Sequence, residues 1–257
     1  LAAEIRSALI KKASLKGGHL ASNLGMVEAE IALHYVFDSP SDKIIFDVSH
    51  QCYTHKILTG RKDAFTVEEK YNSANGYTNP DESDHDLFRV GHTATSISLA
   101  CGLAKARNIR GGKESIIAVI GDGSLSGGEA FEGLDFGGSD IEGNFIVLFN
   151  DNQMSIAENH GGIYKNLALL RSTEGRAENN LFRAFGYDYI FVKDGNDITQ
   201  AVNALRAAKE LDHPVVVHMC TIKGKGYDFA ESHKESTHWV RPFDIDSGAE
   251  KNPFNGE

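Results

Sequence analysis

The chain has 257 residues, 41% hydrophobic and 24% charged, which excludes a disordered, fibrous or collagen-like polymer and leaves one large α/β domain or two small ones, with enough chain for a buried core. Lys and Arg number 26 against 36 Asp and Glu, a formal charge of −10, the wrong sign for an electrostatic nucleic-acid or anionic-membrane binder. No stretch reaches the roughly 18 apolar residues of a membrane span, and Cys52, Cys101 and Cys220, odd in number and far apart, argue against a disulfide framework and for a reducing compartment, the cytoplasm.

In chain order, residues 1–18 predict an amphipathic helix with no cleavage site, and a first residue other than Met predicts a longer gene product. Apolar, β-rich runs predict strands at Lys43 to Val48, Ser115 to Ile120, Asn144 to Phe149, Tyr187 to Val192 and Pro214 to Met219. They lack polar alternation, as strands covered on both faces do. Helical patterns at Thr95 to Arg107, Glu129 to Phe136, Leu181 to Phe185 and Ile198 to Leu211 fall between them, so the expected fold is three-layer α/β/α with a mostly parallel sheet. Thr54 to Arg89 is polar and turn-rich and predicts a long excursion. Ser126 to Glu129 matches the capping box S-x-x-E and predicts a helix start after a loop at Gly121 to Leu125. Gln153 to Glu178 reads as another loop-rich stretch, and the tail after Gly224 shows no period.

The chemistry concentrates at two strand ends. Gly121-Asp122-Gly123 closes the second strand and, after 26 intervening residues, Asn150-Asp151-Asn152 closes the third. Open α/β sheets bind ligands at the carboxyl ends of their strands, and a helix start beside Asp122 suits an anion such as phosphate. An acid beside a phosphate calls for a hard divalent cation. Asp122, the Asn152 amide oxygen and the Met154 carbonyl would form the protein's share of a Mg²⁺ site, while Gly121 and Gly123 let the backbone approach the phosphates. Of eleven histidines, His19, His50 and His92 lie among glycines or at a strand end, where groups titrating near pH 7 serve proton transfer. His34, His213 and His218 read as core or surface. His50, Cys52 and His55 have short zinc-like spacings but lack a fourth ligand. Lys56, Arg61, Lys223 and Lys225 offer local positive charge, either for anions or as a solvated loop.

The GDG and NDN words resemble the thiamine diphosphate motif of transketolase-like enzymes. Further words narrow the likeness: Gly17 to Gly25 (GGHLASNLG), Asp47 to Gln51 (DVSHQ), His55 to Arg61 (HKILTGR), Gly91 to Ser98 (GHTATSIS), Asn150 to Ile156 (NDNQMSI) and Lys223 to Tyr227 (KGKGY). Together they resemble the 1-deoxy-D-xylulose-5-phosphate synthase family. That resemblance implies a thiamine diphosphate and Mg²⁺-dependent transferase. It would move a two-carbon unit from pyruvate, with decarboxylation, to glyceraldehyde 3-phosphate, giving a precursor of isoprenoids and of thiamine and pyridoxal cofactors. It implies metal binding by Asp122, Asn152 and Met154, and diphosphate contacts from His50, Gly123 and Ser124. Gly91, His92 and Thr93 would line the cofactor site, His19 and His50 would face the reacting centre, and Tyr227 would close over the cofactor.

The whole of 1–257 would then be one diphosphate-side domain, with an excursion at about 54–90 and an irregular tail after about 228. Full-length family members are much longer. The pyrimidine-binding domain, with its activating glutamate, would come from the same longer chain or from a partner chain, within an enzyme of a usually dimeric superfamily. Three departures stand out: Gly162 to Asn180 is shorter than the family's insertion there, Asn79 to Ser83 replaces an arginine-bearing word, and either His233 or His238 could be the family's tail histidine. Two alternatives stay open. The chain could be the N-terminal subunit of another transketolase-type enzyme acting on ketose phosphates, or a catalytically silent cofactor-binding module.

Overall fold

The computed structural model describes residues 1–251; the part of the expected tail beyond them lies outside the described residues. Helix α1 (Ala2–Lys16) turns Ile5, Leu9 and Ala13 inward at a spacing of four, the face an amphipathic helix buries. After β1 (Gly18–His19), helix α2 (Ala21–Val36) is buried along nearly its whole length. Its Leu24 and Val27 pack with α1, while Met26, Ala29 and Leu33 pack on the sheet.

Strand β2 (Lys43–Phe46) is followed by short helical turns α3 (Tyr53–Lys56) and α4 (Asp63–Thr66), then α5 (Ser96–Arg110) and β3 (Ile116–Gly121). A single turn α6 (Asp122–Leu125) leads into α7 (Gly128–Asp140) and β4 (Phe145–Asp151). Next come α8 (Gly162–Ser172), α9 (Leu181–Ala184), β5 (Asp188–Val192), α10 (Ile198–Lys209) and β6 (Pro214–Cys220). The described chain ends with α11 (Asp228–Ser232) and β7 (Trp239–Val240).

Five strands form one parallel sheet in the order β2-β3-β4-β6-β5. Ile116, Ala118 and Ile120 of β3 face a core shared with Ile97, Ala100 and Ala104 of α5 and Leu134 of α7; Ile117 and Val119 face Ala201 and Leu205 of α10 and Leu33 of α2. Both sides of each strand therefore demand apolar residues, which is why the runs carry no alternation. The result is the expected three-layer α/β/α architecture. No helix of the described residues is long and apolar enough to cross a membrane, and the three cysteines are free.

Several expectations need correcting. The first sheet strand stops at Phe46 because Val48 and Ser49 take left-handed φ values of 56° and 67°. The capping box does not form. Residues 122–125 are already helical, so the Ser126 hydroxyl bonds back to the Gly123 carbonyl (3.0 Å), and α7 starts at Gly128, with Gly127 at its N-cap position and no side-chain cap. The stretch 153–178 contains α8, which buries only Leu167 and Leu170 and so shows little apolar pattern. The tail carries β7, which pairs antiparallel with β1, placing Trp239 opposite His19. The excursion begins as helical turns and is tied down by buried charges: Asp86 accepts from His55 Nε2 (2.9 Å), from Arg61 Nη1 (2.6 Å) and from the Asn79 amide (2.7 Å). Lys56 Nζ donates to Glu82 (2.6 Å).

Candidate active site

A cavity of about 480 Å³ opens at the carboxyl ends of β2, β3 and β4, where an open α/β sheet presents its ligand crevice. Gly121, extended at φ −89° and ψ 160°, turns the chain out of β3, so that Asp122 begins α6 at the cavity floor. Asp122 Oδ1 accepts from the Gly123 amide (3.0 Å), but Oδ2 is buried without a partner. Burial, and then the neighbouring charge of Asp151, raise this carboxyl well above its ordinary value.

Asp151, the last residue of β4, shows the opposite behaviour. Burial works against its ionisation, but the His218 hydrogen bond and the Arg171 guanidinium outweigh it and hold the group below its ordinary value. Asp151 Oδ2 accepts from Arg171 Nη1 (2.5 Å) and His218 Nε2 (2.9 Å), and Tyr189 Oη lies 2.6 Å from His218 Nδ1. Burial keeps the imidazole neutral, so its Nε2–H points at the carboxylate and Nδ1 accepts from the phenol. One carboxylate is thus fully compensated and the one beside it is not. A divalent cation supplies what Asp122 lacks.

The rest of the oxygen set lies close by. Asn152 lines the cavity with Oδ1 accepting from the Met154 amide (3.0 Å), which leaves that oxygen a second lone pair, and Met154 lines it too. These are oxygen donors without a thiolate or imidazole, the set a hard ion such as Mg²⁺ takes. A Cβ built on Gly121 would meet nothing within 4 Å, so the backbone there borders the open space of the cavity. Lys223, pushed down to about 8 by burial, donates to the carbonyls of Ser155 (2.6 Å) and Ile156 (3.3 Å), fixing the loop after NDN. The separate cluster Asp151, His218 and Cys220 brings ligand atoms within 4.8 Å of one another, but Arg171 already sits on its carboxylate and disfavours a second cation.

At the other end of the cavity three imidazoles meet. Ring centroids of His19 and His50 are 4.9 Å apart, of His50 and His238 5.2 Å, and of His19 and His238 5.5 Å, with Tyr77 edge-on to His19 at 5.8 Å. Two devices assemble them. Asn23 Nδ2 donates to the carbonyls of His19 (2.8 Å) and His50 (2.9 Å), and the β1–β7 ribbon carries His238 alongside His19. Burial, followed by neighbouring positive charge, lowers His50 to about 3 and His238 to about 4, and burial lowers His19. All three are neutral near pH 7, and Nδ1 of His50 and of His238 is buried without a partner.

Of the residues expected from the sequence, the cavity gathers His19, His50, Thr93, Gly121, Asp122, Gly123, Ser124, Asn152 and Met154. Gly91 and His92 are exposed and do not line it; His92 Nδ1 sits 2.8 Å from the Thr93 carbonyl. Tyr227 also lies elsewhere, stacked on Phe243 with its hydroxyl donating to Ile245 (2.8 Å), because these tail residues offer it an apolar niche of their own. Lys56 and Arg61 are spent on Glu82 and Asp86. His50, Cys52 and His55 do not converge: His55 faces Asp86 and Cys52 is in the core. His238 is the tail histidine that reaches the cavity; His233 stacks on Phe229 at 4.3 Å. Sequence reasoning missed Asp47, Asp151, Arg171 and His218. The first two stood inside quoted words, but Arg171 and His218 carry no local signal.

Comparison with known proteins gives the family and the fold. The family model described as 1-deoxy-D-xylulose-5-phosphate synthase matches residues 1–179 and 173–221. The relative 1-deoxy-D-xylulose-5-phosphate synthase 1 of Geobacter sulfurreducens is 44% identical over 284 aligned positions, which cover 96% of this chain and 44% of that protein. The synthase of Symbiobacterium thermophilum is 42% identical, with 96% and 44% covered. An alignment longer than this chain leaves residues of those relatives without a counterpart here, and the two family matches meet at 173–179, inside the segment noted as short. Transketolase from Leishmania mexicana superposes with a TM-score of 0.69 at 20% identity, over 94% of this chain and 38% of that one, which establishes a shared fold. The chain spans less than half the length of the curated relatives it matches, and within that span it belongs to the 1-deoxy-D-xylulose-5-phosphate synthase family.

Proposed function

We propose that this chain carries the diphosphate and Mg²⁺ half of a thiamine diphosphate-dependent transferase that moves a two-carbon unit from pyruvate, with decarboxylation, to glyceraldehyde 3-phosphate. The observation that carries the reading is the buried, partnerless Oδ2 of Asp122 at the floor of a cavity whose far end holds three neutral histidines. When bound, thiamine diphosphate supplies the electron sink for decarboxylation and carbon–carbon bond formation. The protein supplies position and proton handling. Asp122, Asn152 and the Met154 carbonyl hold the metal, while Gly121, Gly123 and Ser124 border the diphosphate. His19, His50 and His238, neutral, and the last two with a buried, unpaired Nδ1, accept or return protons on substrate oxygens. The neighbourhood of Lys223 is suited to an anionic substrate.

The pyrimidine end and the group that activates it come from a second portion, in the same longer chain or in a partner, within a dimer. The test is calorimetric titration of thiamine diphosphate with and without Mg²⁺, on the wild type and on Asp122→Ala. Metal-dependent binding lost in the variant supports the site; equal binding in both removes it. A coupled assay on the complete enzyme then separates pyruvate chemistry from ketose transfer.

A further inference from the structure

The turn that ends β2 is unusual. Val48 and Ser49 hold left-handed φ angles of 56° and 67°, and Ala94, packed beside this turn, holds 70°. A β-branched residue in that region is an outlier, maintained only where surrounding contacts over-determine it. Here the contacts are visible. Asp47, 1% exposed, gives one carboxylate oxygen to the Ala94 amide (3.0 Å) and the other to the Ser96 amide (2.9 Å). Ser96 is the first residue of α5, and Thr95 before it makes no side-chain cap. A carboxylate 49 positions earlier in the chain therefore does the capping, taking amides a helix start otherwise leaves open. Ser49 Oγ holds the other side, donating to the Val90 carbonyl (3.1 Å) and accepting from the Thr78 amide (3.1 Å). Ala94 is pressed against the chain at Gly127, where an added Cβ would stand 2.5 Å from the Ala94 methyl.

The three residues Gly91-His92-Thr93 thus hang between two anchors, Val90 and Ala94, both set by the turn that also delivers His50 into the cavity. We propose that this turn pre-shapes the ligand site, with Asp47 as a positioning residue that fixes Thr93 and the 91–95 loop against the diphosphate; the inference rests on the reading of the cavity given above. It requires both carboxylate oxygens, since an amide would set an N–H₂ against a backbone N–H.

The experiment compares wild type and Asp47→Asn by two readouts: the Kd of Mg²⁺-pyrophosphate and of Mg²⁺-thiamine diphosphate, corrected for folded fraction, and amide exchange at Ala94 and Ser96 without ligand. The variant is expected to bind about 10–100-fold more weakly, the range for removal of an outer-shell partner, and to lose protection at those two amides before the rest of α5. A role in stability alone would lower the melting temperature and leave the Kd of folded molecules unchanged, which would overturn the proposal, as would unaltered exchange at both amides. Should Asp47→Asn not fold, Ser49→Ala removes one oxygen from the other anchor and is expected to weaken both ligands about fivefold; no change would overturn the proposal equally. If the wild type itself binds neither ligand, the diphosphate reading fails, while the exchange measurement still decides whether Asp47 holds the loop.

Discussion

Among the described residues, the buried charges at the root of the excursion and those at the cavity floor are built on opposite terms. At the root of the excursion, Asp86 receives His55, the two terminal Arg61 nitrogens and the Asn79 amide, with Lys56 at 3.5 Å, and these donors hold its carboxyl below the ordinary range against the cost of burial. At the cavity floor Asp122 has one backbone amide and a carboxylate neighbour, and its carboxyl is raised. A closed network finishes a fold, because every acceptor is satisfied within the chain. An open one is stable only when something outside the chain completes it. The basic residues that looked available for anions, Lys56 and Arg61, belong to the closed cluster.

The largest expected effect separates the two. Asp86→Ala takes the carboxylate from Arg61 and His55 in a buried setting, leaving Lys56 on Glu82 alone, and should cost about 3–5 kcal/mol of stability, read as a shift in denaturant midpoint, with the cofactor Kd of the remaining folded molecules unchanged. Asp122→Asn should do the reverse. It removes a buried carboxylate charge whose Oδ2 has no partner, so the metal-free protein should be at least as stable as wild type, while Mg²⁺-dependent thiamine diphosphate binding weakens by about 100-fold or more, beyond the range for outer-shell partners. If both variants lose stability equally, the distinction between the clusters is wrong.

A histidine from each region sharpens the comparison by pH. His34, 2.9 Å from His55, and His50 in the cavity are each lowered to about 3, chiefly by burial. Between that value and 6.5 the unfolded chain binds protons that the folded chain refuses. The stability they provide is therefore complete above about pH 6.5 and is lost as pH falls, by about 2 kcal/mol for each ring at pH 5. Melting temperature against pH should decline below 6.5, and His34→Leu should flatten part of that acid limb without altering cofactor affinity at pH 7.5.

How much of this the sequence revealed follows from the range of each interaction. All five sheet strands were legible because burial on both faces writes itself as unbroken apolar runs, and the residues proposed for the metal were named from the sequence because GDG and NDN are contiguous words. Helix α8 and the β1–β7 ribbon were not: one buries only two side chains and the other is two residues long. The capping box failed because a helical turn one step earlier claimed the Ser126 hydroxyl. Within the site, Asp47 with Ser96, and Asp151 with His218, are pairs separated by 49 and 67 positions, and no local pattern records such a pair. His218 sits in a strand and reads as core until Asp151 is seen beside it. Tyr227 went the other way, since the apolar partners that hold it from the cavity, Phe229 and Phe243, stand in its own segment.

The smallest effect tests the open cluster most directly, because it touches no charge. A Cβ on Gly121 meets nothing within 4 Å, whereas one on Gly123 would lie 2.5 Å from Ser155 Cβ and 3.0 Å from its Cα. Gly121 has φ −89°, a value alanine adopts freely. Gly121→Ala should therefore fold and melt as wild type does, yet place a methyl group in the space proposed for the diphosphate and weaken binding about tenfold, or about 1.4 kcal/mol. Gly123→Ala must displace the loop that Lys223 holds and should lose both stability and affinity. Unchanged affinity in Gly121→Ala would mean that the ligand does not approach the backbone at the end of β3, and the open cluster would then need another reason for its unpaired acid.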